Sequence, residues 1–450
     1  PDINIYNLLF MKNYLRLTQL ARYVLCICLV LLSACQSTSK PKNLSDYTSV
    51  TDSLLALPKY NLPAPGKMPQ AEMQKIKTAC EQWYDKSLSG TVFNGAVLVA
   101  QKGNILFEKY KGTLHLEGND NITASSIFHI ASVSKTFTAM AILKLCQQGK
   151  ILLDEELSHY FPGFNYPGVT VRCLLSHRSG LPNYVYFFEK LGWPQNQFAS
   201  NQDVLEYLIN RKQDVADISP ACTRFSYCNT NYALLALLIE KVTGITYPRY
   251  LKQNFFDPLE MNNTFVLTVK EPTKATPSYD WRGTEIPLNY LDFVYGDKNI
   301  FSTARDLLKW DRFLSSGLLF TKETLQEAYT PYSHEHPGIK NYGLGWRMNL
   351  YDNGKKIIFH NGWWHGNNSA FIRLLDEDVT IIALNNRFTR ATYHVNQLAN
   401  IFSDYFIPVE EETDASTQDS MLQYKTDSNS VHKKRDSIIS GKSQHEKKSK

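Results

Sequence analysis

The sequence contains no run of about 20 apolar residues, so no segment reads as a membrane-spanning helix. It has no G-x-x-x-x-G-K-[ST] loop and no H-E-x-x-H pair, which argues against phosphate-loop and zincin chemistry. It lacks a G-x-S-x-G elbow, which counts against the α/β-hydrolase route to a nucleophilic serine. No Cys/His spacing resembles a zinc site. Glycine (22) and proline (19) are too sparse for a collagen or a low-complexity chain of 450 residues. No basic stripe interleaved with aromatics crosses the body of the chain. With 48 Lys and Arg against 43 Asp and Glu, no nucleic-acid partner is expected. What remains is 43% hydrophobic, 12% aromatic and 20% charged, an ordinary folded chain long enough for a large core.

The amino terminus carries an address. Met11 reads as the initiator, with residues 1–10 upstream of it. Lys12, Arg16 and Arg22 precede the short apolar run Tyr23–Leu32, which is signal-peptide architecture. Leu32-Ser33-Ala34-Cys35 resembles a bacterial lipobox, which implies lipidation at Cys35 and a lipid bilayer as partner. The expectation is an exported lipoprotein, held at the outer membrane and facing periplasm or surface. A plain secretory cleavage nearby is the simpler alternative. The division expected is 1–34 upstream residues and signal, 35–66 anchor and tether, 67–408 folded domain and 409–450 a polar, charged, disordered tail.

Cys80, Cys146, Cys173, Cys222 and Cys228 lie in the mature body. Five cannot all pair within the chain. Cys146 and Cys173 sit in apolar runs and read as buried thiols. Cys222 and Cys228 are near enough in sequence to pair, although spacing alone does not establish it. His334-Glu335-His336 has metal-binding residue types, but a solvated turn before Pro337 is the better reading.

Apolar periodicity at Met73, Ile76, Cys80 and Trp83 predicts a helix within 67–88. Gly95–Ala100 and Ile105–Phe107 flank a turn and predict a hairpin. Residues from about Ala131 to Asp311 read as largely helical. Two further hairpins follow, 345–350 with 356–360 and 370–374 with 379–384. A closing helix is expected from Ala391 through Phe406. The fold class expected is α/β (α+β): one antiparallel sheet built from strands of both ends, flanked by helices, with a mostly helical lobe between.

Three separated patches carry chemistry. Ser132-Val-Ser-Lys135 opens an apolar segment that stops at Gly149, so one helical turn puts Ser132 and Lys135 on one face. A serine hydroxyl is a weak nucleophile until a base takes its proton. A lysine becomes such a base when burial and neighbouring charge favour its neutral form. Ser-x-x-Lys also occurs at Ser37, Ser39 and Ser430, all in polar stretches where no pocket forms. The bland reading of Ser132 is a helix cap with a solvated Lys135 one turn on. Tyr227-Cys-Asn229 precedes a second apolar helix ending at Gly244. Its phenol and amide can point the same way, or serve as a core tyrosine and a helix cap. His360-Asn-Gly362 ends a predicted strand, where glycine allows close backbone approach.

In order and context these patches resemble the motifs of the serine β-lactamase and penicillin-binding protein superfamily. The nearer likeness is to its class C branch, with D-alanyl-D-alanine carboxypeptidases and esterases. Leu174–Pro182, Asp257–Met261, Ser302–Leu307 and Tyr342–Trp346 add to it, so the resemblance covers about residues 90–408. It implies a β-lactamase/transpeptidase-like fold and an acyl-enzyme mechanism without metal or cofactor. Ser132 would attack a carbonyl carbon, with Lys135 and Tyr227 moving protons. Backbone N–H groups of Ser132 and Trp363 would hold the oxyanion. Asn229 would orient the acyl amide, and His360, with Gly362 beside it, would flank the leaving-group side. His360 stands where many β-lactamases carry lysine. A mostly neutral imidazole holds a substrate carboxylate less strongly, which moves the expectation away from dedicated antibiotic hydrolysis. Trp363 and Trp364 would line the cleft or join the sheet core. The implied substrate is a small molecule or peptide, such as a cell-wall peptide, cleaved at a peptide, amide or ester bond. The alternatives are a catalytically silent lipoprotein that binds or senses cell-wall peptides, and an anchoring lipoprotein acting through its charged tail.

Overall fold

The computed structural model describes residues 59–214, 218–335, 337–405 and 407. The signal segment, Cys35, most of the tether and the charged tail lie outside the described residues. Among the described residues no helix is long and apolar enough to cross a membrane.

The strands are β1 (Gly95–Gln101), β2 (Asn104–Lys111), β3 (Phe128–His129), β4 (Phe265–Val266), β5 (Ile300–Ser302), β6 (Lys340–Tyr342), β7 (Arg347–Leu350), β8 (Lys356–Trp364), β9 (Asn367–Leu374) and β10 (Val379–Asn385). Seven of them form one antiparallel sheet in the order β2-β1-β10-β9-β8-β7-β6. The expected union of the two chain ends is therefore present, with Val97 opposite Ala383 and Val99 opposite Ile381.

Strand alternation sends successive side chains to opposite faces, and here both faces are covered. Val97, Val99, Ile381 and Ala383 pack under the helix Gln70–Ser87 and the segment Arg390–Ile401, against Ile76, Cys80, Val395 and Leu398. Ala96, Leu98, Ile382 and Leu384 belong to the larger core under the helical lobe. Covering on both faces explains why β1 and β10 are almost continuously apolar.

Two helices run through the lobe. Ser134–Gln147 is buried from Ser134 to Leu145, and Asn229–Thr243 from Thr230 to Ile239. Helices apolar on every side belong inside a domain. Phe137 stacks on Trp310 of the helix Ala304–Ser315 at 4.3 Å, which ties the first to the layer over the sheet. Gly244 ends the second in the left-handed conformation that favours glycine.

Two expectations are corrected. The closing segment is a 3-10 helix ending at Ile401, short of Phe406. Asn400 uses its amide to bind both backbone groups of Ile407, which turns the chain back after one last turn. Cys173, expected as a buried thiol, is joined to Cys222 by a disulfide, with Cα atoms 5.6 Å apart, and Cys228 is a free buried thiol. Cys173 and Cys222 converge on the carbonyl of Gly168, a proximity that sequence spacing does not reveal.

Candidate active site

The chain enters the site through Phe128–His129 and a short 3-10 turn, Ala131–Val133, before the helix Ser134–Gln147. Ala131 has φ 47°, a left-handed conformation unusual for a residue with a Cβ. It is held there by its N–H, which donates to His129 Nδ1 at 3.0 Å. Ser134 Oγ accepts from Ile300 N at 3.1 Å, which fixes the helix start to β5.

Lys135 is fully buried. Its Nζ donates to Ser132 Oγ at 3.1 Å, Asn229 Oδ1 at 2.8 Å and the carbonyl of Asp297 at 2.9 Å. All three partners are neutral oxygens. Asn229 spends its oxygen on Lys135, so its amide N–H groups are the part that can donate to a substrate carbonyl.

Tyr227 arrives by ring contact. Its ring centroid lies 4.9 Å from Lys135 Nζ and 5.1 Å from the guanidinium carbon of Arg347. Cys228 points the other way, donating through Sγ to the carbonyls of Leu181 and Pro182. Burial pushes its thiol up to about 11. Glu335 accepts from Phe225 N at 3.1 Å and pairs with Arg178, so it braces the Tyr227 loop. His334 contacts the carbonyl of Pro331, and His336 lies outside the described residues.

β8 supplies the opposite wall. β7 pairs with it only as far as Phe359, so β8 residues 360–364 have no strand on that edge. A Cβ at Gly362 would collide with Ser369 Oγ and with the carbonyl of Ile130. Only glycine lets this strand lie against the Ser132 turn. Trp363 is half-buried, donates through Nε1 to the carbonyl of His365 at 2.5 Å and packs on Phe388. Trp364 is buried and donates to Asp292, so it belongs to the core behind the site.

His360 is completely buried, and both ring nitrogens are engaged. Nε2 lies 3.1 Å from the Tyr342 hydroxyl and Nδ1 2.7 Å from the carbonyl of Asn361. Burial, then the Arg347 and Lys135 charges, hold it well below the usual imidazole range. The expected neutral histidine is present, turned inward against Tyr342 rather than outward.

Two residues at the site carried no assigned role from sequence. His177 lies at φ 56° inside a cage of Tyr227, Tyr232 and Tyr342, with ring centroids 4.3, 5.1 and 4.8 Å away. Its Nδ1 accepts from Cys228 N at 3.1 Å. Burial and the Lys135 charge hold it well below its usual range. It sets the backbone between Tyr227 and Asn229. Arg347 brings a second cation to the Tyr227 ring. The signal for His177 was its place within Leu174–Pro182; Arg347 sat in an unremarkable strand.

A family model described as Beta-lactamase matches residues 80–405. Penicillin-binding protein 4* of Bacillus subtilis is 32% identical over 314 residues, covering 66% of this chain and 68% of that protein. Protein flp of Staphylococcus aureus is 27% identical over 379 residues, covering 80% and 71%. Among solved structures, a penicillin binding protein from Bacillus halodurans superposes with a TM-score of 0.61 at 24% identity, over 72% of this chain and 98% of that one. D-amino acid amidase from Ochrobactrum anthropi superposes with a TM-score of 0.57 at 21% identity, over 74% and 96%. These superpositions establish the fold.

Proposed function

The chain belongs to the Beta-lactamase family, and on that premise we propose that it is a serine hydrolase working through an acyl-enzyme on Ser132. The observation that carries the reading is the 3.1 Å hydrogen bond between Lys135 Nζ and Ser132 Oγ, with every other Nζ partner a neutral oxygen. In its neutral form the same amine accepts the Ser132 proton along that line. Ser132 Oγ then bonds to the substrate carbonyl carbon. The carbonyl oxygen takes the negative charge and receives N–H groups of Ser132 and Trp363. The proton passes through Lys135 and Tyr227 to the leaving group, whose bond to the carbonyl carbon breaks. Water repeats the sequence on the acyl-enzyme and restores Ser132.

Asn229 donates to the acyl amide. His360 shapes the leaving-group side through Tyr342. Arg347, beside Tyr227, supplies the positive charge that a neutral His360 does not. This combination favours a substrate ending in a carboxylate, such as a peptide or amide of the D-alanyl type. The relatives' names include penicillin-binding proteins and D-amino acid amidases, which fit that class. The lipobox at Cys35 supports a membrane-tethered placement, with the domain working outside the cytoplasm.

Intact-mass analysis after treatment with a fluorophosphonate or a penicillin tests the nucleophile. One adduct is expected, absent in Ser132→Ala. Undiminished labelling of that variant would rule Ser132 out. Binding of cell-wall peptide with no adduct and no turnover would instead support a silent sensor. Cys35→Ser is expected to release the protein from membranes, and continued membrane fractionation would reject the lipid anchor.

A further inference from the structure

A cavity of about 150 Å³ lies at the far end of β8, between the Trp364–Asn367 turn and the loop 272–288, with polar groups set among apolar walls such as Leu267, Ile286 and Phe301. Its walls are fixed. Gly366 N donates to Ser278 Oγ at 2.7 Å, and a Cβ at Gly366 would strike the Tyr279 backbone. Asp292 lies behind this wall with both oxygens engaged: Oδ1 accepts from Trp364 Nε1 at 2.5 Å, Oδ2 accepts from Asn289 N, and His365 Nε2 faces both at 3.0 and 3.1 Å. Burial alone would raise the Asp292 carboxyl. His365 and the hydrogen bonds of Asn289 and Trp364 outweigh that and hold it below its usual range.

Two lining side chains are unsatisfied. Asn367 is 3% exposed, and its Oδ1 has no hydrogen-bond partner. Thr276 Oγ1 is buried without one as well. Buried polar atoms are nearly always paired, and an orphan calls for an explanation. Exposed Glu285 adds a carboxylate, no lysine or arginine lines the cavity, and the imidazole of His365 is turned to Asp292 through Nε2. Anions are therefore disfavoured, and an apolar occupant would leave the acceptors unpaired. Among the described residues no group of three or more metal-ligating side chains exists, so a metal ion is not the fitting occupant.

We propose that this cavity is a binding site for a primary ammonium group, held by Asn367 Oδ1, Thr276 Oγ1 and the Glu285 carboxylate. An ammonium brings three donors and a positive charge to a site rich in acceptors. The cavity touches the catalytic turn through His129, which lines it and accepts the Ala131 N–H. The ammonium belongs either to an aminoacyl substrate, a reading that rests on the proposed hydrolase function, or to a free amine acting on the Ser132 turn.

Isothermal titration of the full chain with propylammonium chloride tests the site without reference to activity, and is repeated on Ser132→Ala. Saturable binding is expected in both, with 1-propanol about tenfold weaker or worse, the scale of one lost charged hydrogen bond. Thr276→Val removes a hydroxyl that has no internal partner, so it should fold normally and bind about tenfold more weakly. Asn367→Leu should do the same, with circular dichroism and thermal melting as folding controls. Lack of saturable binding, equal binding of propanol, or undiminished binding in both folded variants would overturn the proposal. Kinetics separate the sources. Competition by propylammonium against an aminoacyl anilide, but not its N-acetylated counterpart, assigns the site to the substrate. An equal change in turnover of both assigns it to a free amine.

Discussion

Two buried cations lie on either side of the sheet-lobe boundary, and they are satisfied in opposite ways. Arg373, on β9, is bound by the carboxylate of Asp311 at 2.5 Å, by Ser315 at 2.7 Å and by the Tyr329 hydroxyl. Asp311 in turn accepts from Thr380 at 2.5 Å. Lys135 has no carboxylate among its hydrogen-bond partners, only three neutral oxygens. A charge matched by a buried counter-charge is locked, because losing its proton would strand the partner. A charge solvated by neutral dipoles can give up its proton and leave no unpaired ion behind. The first arrangement suits a structural clamp, and the second suits a group that must exchange protons with Ser132.

The comparison breaks most visibly at Arg373. Arg373→Ala leaves Asp311 charged and buried, and should cost about 3–5 kcal/mol of unfolding free energy. Chemical denaturation measures this, and acylation per folded molecule should stay near wild type. A loss below about 1 kcal/mol would mean that the clamp is not structural.

Lys135→Ala should behave in the opposite sense, reducing acylation by about 10² or more. Tyr227→Phe should act similarly, and the double variant should be little worse than the poorer single one, since both serve the same proton. Single-turnover rates with a folding control decide it. Near-wild-type acylation in either folded variant removes that residue from the mechanism.

Gly362→Ala sharpens the wall of the site. Its Cβ would force β8 away from Ile130 and Ser369, at a cost of about 1–3 kcal/mol. Acylation should fall along with stability, because the strand edge bearing the Trp363 N–H moves. A stable variant with normal acylation would show that the strand need not approach so closely.

The last test is acid sensitivity. His129 is lowered by burial to about 4, and His177 and His360 are held well below their usual range. Below about pH 6.5 the unfolded chain binds protons that these folded imidazoles refuse. Their contribution is therefore complete above that pH and is lost as pH falls towards the folded values. The slope is about 1.4 kcal/mol per pH unit for each histidine. Unfolding free energy measured from pH 7 to 4 should show the decline, and His129→Gln should flatten it. A slope unchanged in that variant would mean that His129 does not refuse protons.

Much of the architecture was legible because it rests on local pattern. The three hairpins and the buried helix after Ser132 follow from strand alternation and apolar periodicity, and the shared sheet follows from strands at both ends. The three motif patches were legible too, and the structure joins Ser132, Lys135 and Asn229 by direct hydrogen bonds. What escaped depends on tertiary proximity. Nothing local marks Asp297 as the carbonyl that completes the Lys135 shell, since it lies 162 residues away. Arg373 is a lone charge in an apolar strand until Asp311 faces it. The partner of Cys222 proved to be distant Cys173 rather than neighbouring Cys228, a proximity that only the tertiary fold creates. The inward turn of His360 depends on Tyr342 from another strand.

The pairing of β1 with β10 imposes an order of assembly. Asn94 N, at the entrance to β1, donates to Asn385 Oδ1, 291 residues later. A ribosome delivers the amino-terminal hairpin long before its partner strand exists. Until then the apolar strand β1 has an open edge, and such edges invite wrong partners. The lobe between contains its own helices and disulfide, and can consolidate while the strand waits. Completion of the sheet then depends on a late, long-range encounter, the kind that slows folding most. The hairpin that waits is the segment for which a holding chaperone would matter most.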